Sequence, residues 1–210
     1  MAPPKKSNYK KRYTAQKKTY RNIRSSLISN VPKVWTFRRS FTKFDFATTT
    51  VAQIGYSFKF NELPNYAEFK AMFESYQIKY VQLRFFYTNT SAASNTHSAG
   101  YFYFLRDYND SNNPASLNEM LENSDVKICR MTDLNGKYFT QKIYPKISME
   151  VYKTAITTSY ATPKTNPFMD LTNDDGATPH FGFKIGYDQL STGAYLRCIA
   201  TMVFKCKDMK

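Results

Sequence analysis

Residues YLRCIATMVFKC (195–206) alternate without interruption. Leu196, Cys198, Ala200, Met202, Phe204 and Cys206 fall on one face, with Arg197 and Lys205 on the other. A period of two is the mark of a strand that buries one face and wets the other. The same period recurs upstream. In HFGFKIGY (180–187), Phe181, Phe183, Ile185 and Tyr187 alternate with His180, Gly182, Lys184 and Gly186. In VAQIGYSFKF (51–60), Ala52, Ile54, Tyr56, Phe58 and Phe60 share a face; in KIYPKISMEV (142–151), Ile143, Ile147, Met149 and Val151 do. Pro145 removes a ladder donor from that last run, which puts a bulge or a sheet edge there.

Four further strands, roughly 35–46, 77–88, 99–106 and 126–131, bring the count to about eight. The stretch QIKYVQLRFFYT (77–88) is apolar enough on both faces to run centrally in a sheet. Two short helices interrupt the strands. In NYAEFKAMFESY, Asn65 and Glu68 have N-cap and N3 spacing, and Phe69, Met72, Phe73 and Tyr76 follow at helical intervals. In SLNEMLENS, Ser116 and Glu119 have the spacing of a capping box. The connections 88–98, 107–116 and 154–180 are polar and long. Eight strands with no βαβ alternation describe an all-β protein, best matched by an eight-stranded jelly-roll sandwich with two short helices in its loops. A lipocalin-like barrel is the alternative, and would need shorter hairpins and no helix at 65–76.

Composition agrees with strands. Seventeen Tyr and 17 Phe in 210 residues suit sheets, where flat rings pack against cross-strand neighbours. Seven Gly argue against glycine-rich nucleotide loops, and three Cys without a CxxC suit a reducing compartment better than a disulfide framework. The N-terminus lacks the apolar core of a secretory signal, and no stretch approaches a bilayer span, so no membrane insertion is expected. The sequons at Asn89 and Asn109 then read as chance matches.

Charge is sharply segregated. Of the 30 Lys and Arg residues, 13 precede the first carboxylate, Asp45; the remainder of the chain carries 17 cations against 16 carboxylates. Nearly the whole excess of +14 therefore belongs to one end. Residues 1–32 show no apolar periodicity and cannot offset the entropy of ordering, so they read as a mobile basic arm ahead of a body at 33–210. The arm carries Lys5, Lys6, Lys10, Lys11, Arg12, Lys17, Lys18, Arg21 and Arg24, interleaved with Tyr9, Tyr13 and Tyr20. Such cations bind phosphates and such rings stack on unpaired bases, a sequence-tolerant and salt-dependent mode that suits single-stranded nucleic acid. KKSNYKKR also suits a nuclear import receptor.

The stretch YSFKFNELPNYAEFKAMFESYQIKYVQLRFFY (56–87) resembles the capsid proteins of small circular Rep-encoding single-stranded DNA viruses, the circovirus-like group. There a strand runs into an L-P-x-Y/F-x-x-F element, a short helix ending F-x-x-Y, and a strand I-K-x-V-x-L/V. The matching positions are Leu63, Pro64, Tyr66, Phe69, Phe73, Tyr76, Ile78, Lys79, Val81 and Leu83. The arm departs from circoviruses proper in being led by lysine rather than arginine. The resemblance implies a jelly-roll subunit of a closed icosahedral shell of sixty copies, arms inward, packaging DNA. It alone favours DNA over RNA, and it implies residence in the virion and in the host nucleus during assembly.

Beyond the arm, Arg38, Arg39 and Lys43 on the first strand and Arg197 and Lys205 on the last extend the positive surface, because those strands are neighbours in a jelly roll. Metal and catalytic signals are poor. His97 and His180 are the only histidines, and Cys198 and Cys206 read as buried, inert thiols. DYNDSNN (107–113) opens like a calcium loop, but Asn112 replaces its glycine and Asn118 its bidentate Glu. Asp174, Asp175 and His180 form a carboxylate–histidine pair only if their loop folds back. No cofactor, metal or enzymatic activity is expected. The reading is a self-assembling coat protein; a non-viral nucleic-acid-binding β-domain of ribosomal or chromatin type is the alternative, and a basic nuclease lacks a credible constellation.

Overall fold

The computed structural model describes residues 33–46, 52–89, 100–134, 136–154, 157–188 and 194–210. Eleven strands follow one another. They are β1 (Val34–Phe46), β2 (Ala52–Phe58), β3 (Phe73–Asn89), β4 (Tyr101–Arg106), β5 (Lys127–Arg130), β6 (Tyr138–Ile143), β7 (Met149–Thr154), β8 (Thr157–Ala161), β9 (Met169–Asp170), β10 (His180–Tyr187) and β11 (Ala194–Met209). Helix α1 (Tyr66–Met72) lies between β2 and β3, and α2 (Leu117–Leu121) between β4 and β5. One sheet has the order β1-β11-β3-β6, with β9 also paired to β3; the other has β2-β10-β4-β5. Strands β7 and β8 pair with each other in a hairpin. The eight strands of the two main paths, all antiparallel, are the expected jelly-roll sandwich.

The alternation at the C-terminus is fully expressed. Leu196, Cys198, Ala200, Met202, Phe204 and Cys206 are all buried on the inner face of β11. Between the sheets the core is a stack of rings. Phe85 of β3 lies 4.9 Å from Phe102, 5.7 Å from Phe104 and 6.1 Å from Phe183, all from the facing sheet. At one end α1 closes the sandwich: Phe69 packs 5.2 Å from Phe204 and 5.2 Å from Phe37, while Phe60 stacks 4.3 Å from Tyr76.

Four expectations change in detail. Helix α1 stops at Met72, and Phe73 and Tyr76 belong to β3, because β11 extends far enough to pair Met209 with Phe73 and β9 pairs Tyr76 with Met169. Asn65 stands at the expected N-cap position, but it adopts φ 61° and its side chain makes no capping hydrogen bond. At α2, Ser116 Oγ does accept from the Glu119 amide at 3.2 Å, whereas Glu119 reaches back to the Ala115 amide at 2.6 Å. The run 142–151 is two strands: β6 ends two residues before Pro145, and β7 turns away into the hairpin with β8.

The fourth change concerns the phase of β10. Its register with β2 shifts between Phe181 and Phe183, a bulge at Gly182. A Cβ on Gly182 would come within 2.9 Å of Ile143 Cδ1. The bulge reverses the faces before it, so His180 is fully buried and Phe181 only half-buried, opposite to the alternation expected. Lys184 is buried as well, its ammonium held 2.9 Å from Asp107 and 3.0 Å from Asp110.

Candidate nucleic-acid interface

The arm residues Lys5 to Arg24, its three tyrosines and His97 lie outside the described residues. The body offers a surface of its own. The outer face of the β1-β11-β3-β6 sheet is laid out in cross-strand rows. One row runs Asp45, Arg197, Phe86, Tyr138; the next runs Thr42, Ile199, Arg84, Thr140; the next runs Ser40, Thr201, Gln82, Lys142; the last runs Arg38, Val203, Tyr80. These rows hold four cations and one carboxylate, Asp45. Lys205 continues the face beyond them, opposite Thr36.

The five body cations expected from the sequence are divided by the fold. Arg38 and Lys205 take the outer face. Arg197 does too, but its Nη2 lies 2.6 Å from Asp45 Oδ2, which offsets its charge. Arg39 turns to the other side, its guanidinium 5.3 Å from the Phe69 ring. Lys43 is also withdrawn. The register of β1 shifts between Thr42 and Phe44, and the extra residue points its ammonium over the Phe58 ring and onto Glu62 at 2.7 Å. Lys43, an odd number of residues from Arg38, falls on the opposite face, and the bulge brings Phe44 into the core beside it.

Two outer-face cations replace them. Arg84 and Lys142 come from β3 and β6, and Lys142 Nζ lies 3.9 Å from the Tyr80 ring centroid, a cation–π contact. The signal for Lys142 is in the sequence, where it alternates against Ile143; that for Arg84 is its alternation with Leu83 and Phe85. What the sequence does not show is that β6 lies beside β3, which unites them.

The other polar candidates resolve into structure. Asp174 does not pair with His180: its Oδ2 accepts from Tyr76 Oη at 2.8 Å and its Oδ1 from the Thr178 amide at 3.1 Å. The His180 ring makes a 3.0 Å contact from Nδ1 to the Thr178 carbonyl, which an Nδ1–H donates. Burial pushes its pKa down to about 4, against the smaller opposing pull of the Thr178 carbonyl and of Asp174. Asp175 instead accepts from Tyr66 at 2.6 Å and from Lys70 at 2.5 Å.

The calcium-like loop carries its own cation. Asp107 and Asp110 enclose the Lys184 ammonium where a metal would sit, and among the described residues no group of three His, Cys, Asp or Glu could hold an ion. Burial works against the Lys184 charge, yet the two carboxylates raise its pKa above the usual lysine value. Cys198 and Cys206 are buried and free, and burial pushes the Cys206 thiol up to about 12 and that of half-buried Cys129 up to about 11. Among the described residues no helix is long and apolar enough to cross a membrane.

Two facing four-strand paths in this order, closed at one end by a short helix and carrying a cationic outer face, define a jelly roll of the viral coat class. The comparisons agree. The family model described as circovirus capsid protein matches residues 3–210, and the chain belongs to that family. It is thus a structural capsid protein and a component of the virion, which sets aside the ribosomal and chromatin alternative. Among solved structures it is similar to the BFDV capsid protein in a 60-mer crystal structure, with TM-score 0.59 and 13% identity over 84% of this chain and 95% of that one. The decameric BFDV capsid protein gives TM-score 0.51 and 15% identity over 83% and 99%. No curated protein matches the chain.

Proposed function

We propose that this protein packages single-stranded DNA in a closed icosahedral shell of sixty copies, using residues 1–32 as a basic tether and the outer face of the β1-β11-β3-β6 sheet as the inner lining. The observation that carries the reading is charge segregation. Thirteen of 30 cations precede the first carboxylate, and on the outer face of the sheet one of them, Arg38, is joined by Arg84, Lys142 and Lys205. Lysine and arginine there neutralise phosphates without reading sequence, and Tyr9, Tyr13 and Tyr20 stack on unpaired bases. Sixty arms of nine cations would bring roughly 540 charges to one cavity, offsetting repulsion among genome phosphates while the bodies close the shell through complementary contacts. The role is physical rather than enzymatic. KKSNYKKR, near the start of the tether, serves a nuclear import receptor before assembly.

The test is expression of the full chain beside a chain lacking residues 2–30. Particles of the full chain should hold nuclease-protected DNA, and particles of the shortened chain should be empty or fail to form. Equal protected DNA per particle in both would defeat the role of the tether.

A further inference from the structure

The ladder along one edge of β3 has a gap. Strand β6 pairs with residues 81–86 of β3 and β9 with residues 75–76, so neither covers residues 77–80 on that side. A pocket of about 200 Å³ fills the gap, between the β3 edge, the turn after β6 and the segment before β9. That volume is below the range of drug-sized sites and suits one small ring.

Its wall is built around Asn166, only 7% exposed. The Asn166 amide nitrogen donates to the Pro145 carbonyl at 2.6 Å and to the Ile78 carbonyl at 3.3 Å, which fixes the orientation of the amide. Gln77 Nε2 donates to the Asn166 carbonyl. Asn166 Oδ1 is left buried without a partner, an acceptor suited to a ligand that brings its own N–H. Tyr80 and Tyr144 supply aromatic faces, with ring centroids 6.1 Å apart and Tyr144 half exposed. Lys79, Lys146 and Lys164 line the same pocket, and Lys142 reaches over both tyrosine rings, 3.9 Å and 5.2 Å from their centroids. No carboxylate is among the described lining residues.

We propose that this pocket holds one nucleotide of a single strand, its base against Tyr144 and Tyr80 and its phosphates on Lys79, Lys146 and Lys164. Each part of the site answers one part of that ligand. Ammonium groups without carboxylates select an anion, the rings accept a planar face, and the free Asn166 acceptor takes a ring or amino N–H. A sulfated sugar would satisfy the lysines, but the nucleotide is favoured by continuity: Tyr80 shares the outer-face row of Arg38, and Lys142 lies in the row between those of Arg38 and Arg84. The inference rests on the reading of that face as the nucleic-acid side, and adds to it a seat for individual bases.

The experiment measures binding of a thymidine octanucleotide carrying one 4-thiothymine, of an abasic phosphodiester of equal length and of a sulfated disaccharide. The proteins are the full chain, Tyr144→Ala and Lys164→Ala. Tyr144→Ala should weaken the octanucleotide about 5- to 140-fold, the range for losing one stacked base, and change the abasic strand little. Lys164→Ala should weaken both strands, and irradiation should join the thiobase to peptides containing Tyr80 or Tyr144. If the octanucleotide binds but neither substitution matters and crosslinks map only to residues 1–32, the pocket assignment is overturned while the packaging reading survives. Absence of octanucleotide binding to the full chain overturns both. If only disaccharide binding falls in the variants, the pocket is a sulfated-glycan site and the proposal is wrong.

Discussion

Acidification from pH 7 to pH 5 should remove about 2 kcal/mol from the folded body through a single side chain, His180. Its imidazole is fully buried and its pKa is pushed down to about 4, against 6.5 in an unfolded chain. Between those values the unfolded chain binds a proton that the fold refuses. The stabilisation is therefore complete above pH 6.5, declines as pH falls, and is exhausted near pH 4. The full span is about 3.4 kcal/mol at 1.36 kcal/mol per unit, of which about 2 kcal/mol is lost by pH 5. For a body of this size each kcal/mol moves Tm by about 2–4 °C, so the His180 share of the drop is about 4–8 °C. The comparison chain is His180→Asn, whose amide keeps a donor for the Thr178 carbonyl and does not titrate. Thermal unfolding of both full-length chains at pH 7 and pH 5 should show a drop smaller by that amount in the variant. Carboxylates lose their contributions in both chains alike and cancel in the difference. Identical drops would mean that the fold accepts the imidazolium, with Asp174 offsetting its charge, and the argument from burial would fail.

Lys184→Met should leave Asp107 and Asp110 facing each other without their ammonium. Asp110 has a depressed pKa in the native protein, where burial opposes its charge and Lys184 with the Asn112 amide outweighs burial, so its contribution is present at neutral pH and lost in acid. Denaturant midpoints of variant and native chains should differ clearly at pH 7 and converge toward pH 3. Phe204→Ala empties a site bounded by Phe37, Phe60 and Phe69, and should cost about 3–5 kcal/mol, or roughly 6–20 °C of Tm. Gly55→Ala places a Cβ 2.4 Å from the Ser111 carbonyl oxygen, so the 107–116 connection should leave β2 and its amides exchange faster with deuterium. Removing residues 2–30 takes away the nine cations from Lys5 to Arg24, and should flatten the log–log salt dependence of single-strand binding by about 6, at about 0.7 per phosphate contact.

The parts of this molecule that were legible in the sequence are those where burial is one-sided and local. In strand β11 every second residue from Ala194 to Cys206 is buried because that face meets only core, so its face assignment could be read directly. The end of α1 could not. Phe69, Phe73 and Tyr76 satisfy helical spacing, and only the distant pairing of Phe73 with Met209 turns the chain into a strand there. Strand β9 has two residues, too few to show any period, and β8 lies in a polar stretch with no apolar row. Arg39 and Lys43 stand an odd number of residues from Arg38, so alternation alone turns them to the other face. One extra residue at Lys43 and one at Gly182 each reverse the faces, bringing Phe44 into the core and burying His180. A glycine within an apolar run is a usable warning of the second; nothing local announces the first. The candidate interface divides the same way. The arm's charge is a property of composition and was plain at once, whereas the pocket around Asn166 joins three segments spread from Gln77 to Asn166. Its chemistry exists because β6 ends at Ile143 and the chain beyond Pro145 pairs through Lys146 with Phe181 of β10, which leaves residues 77–80 of β3 uncovered.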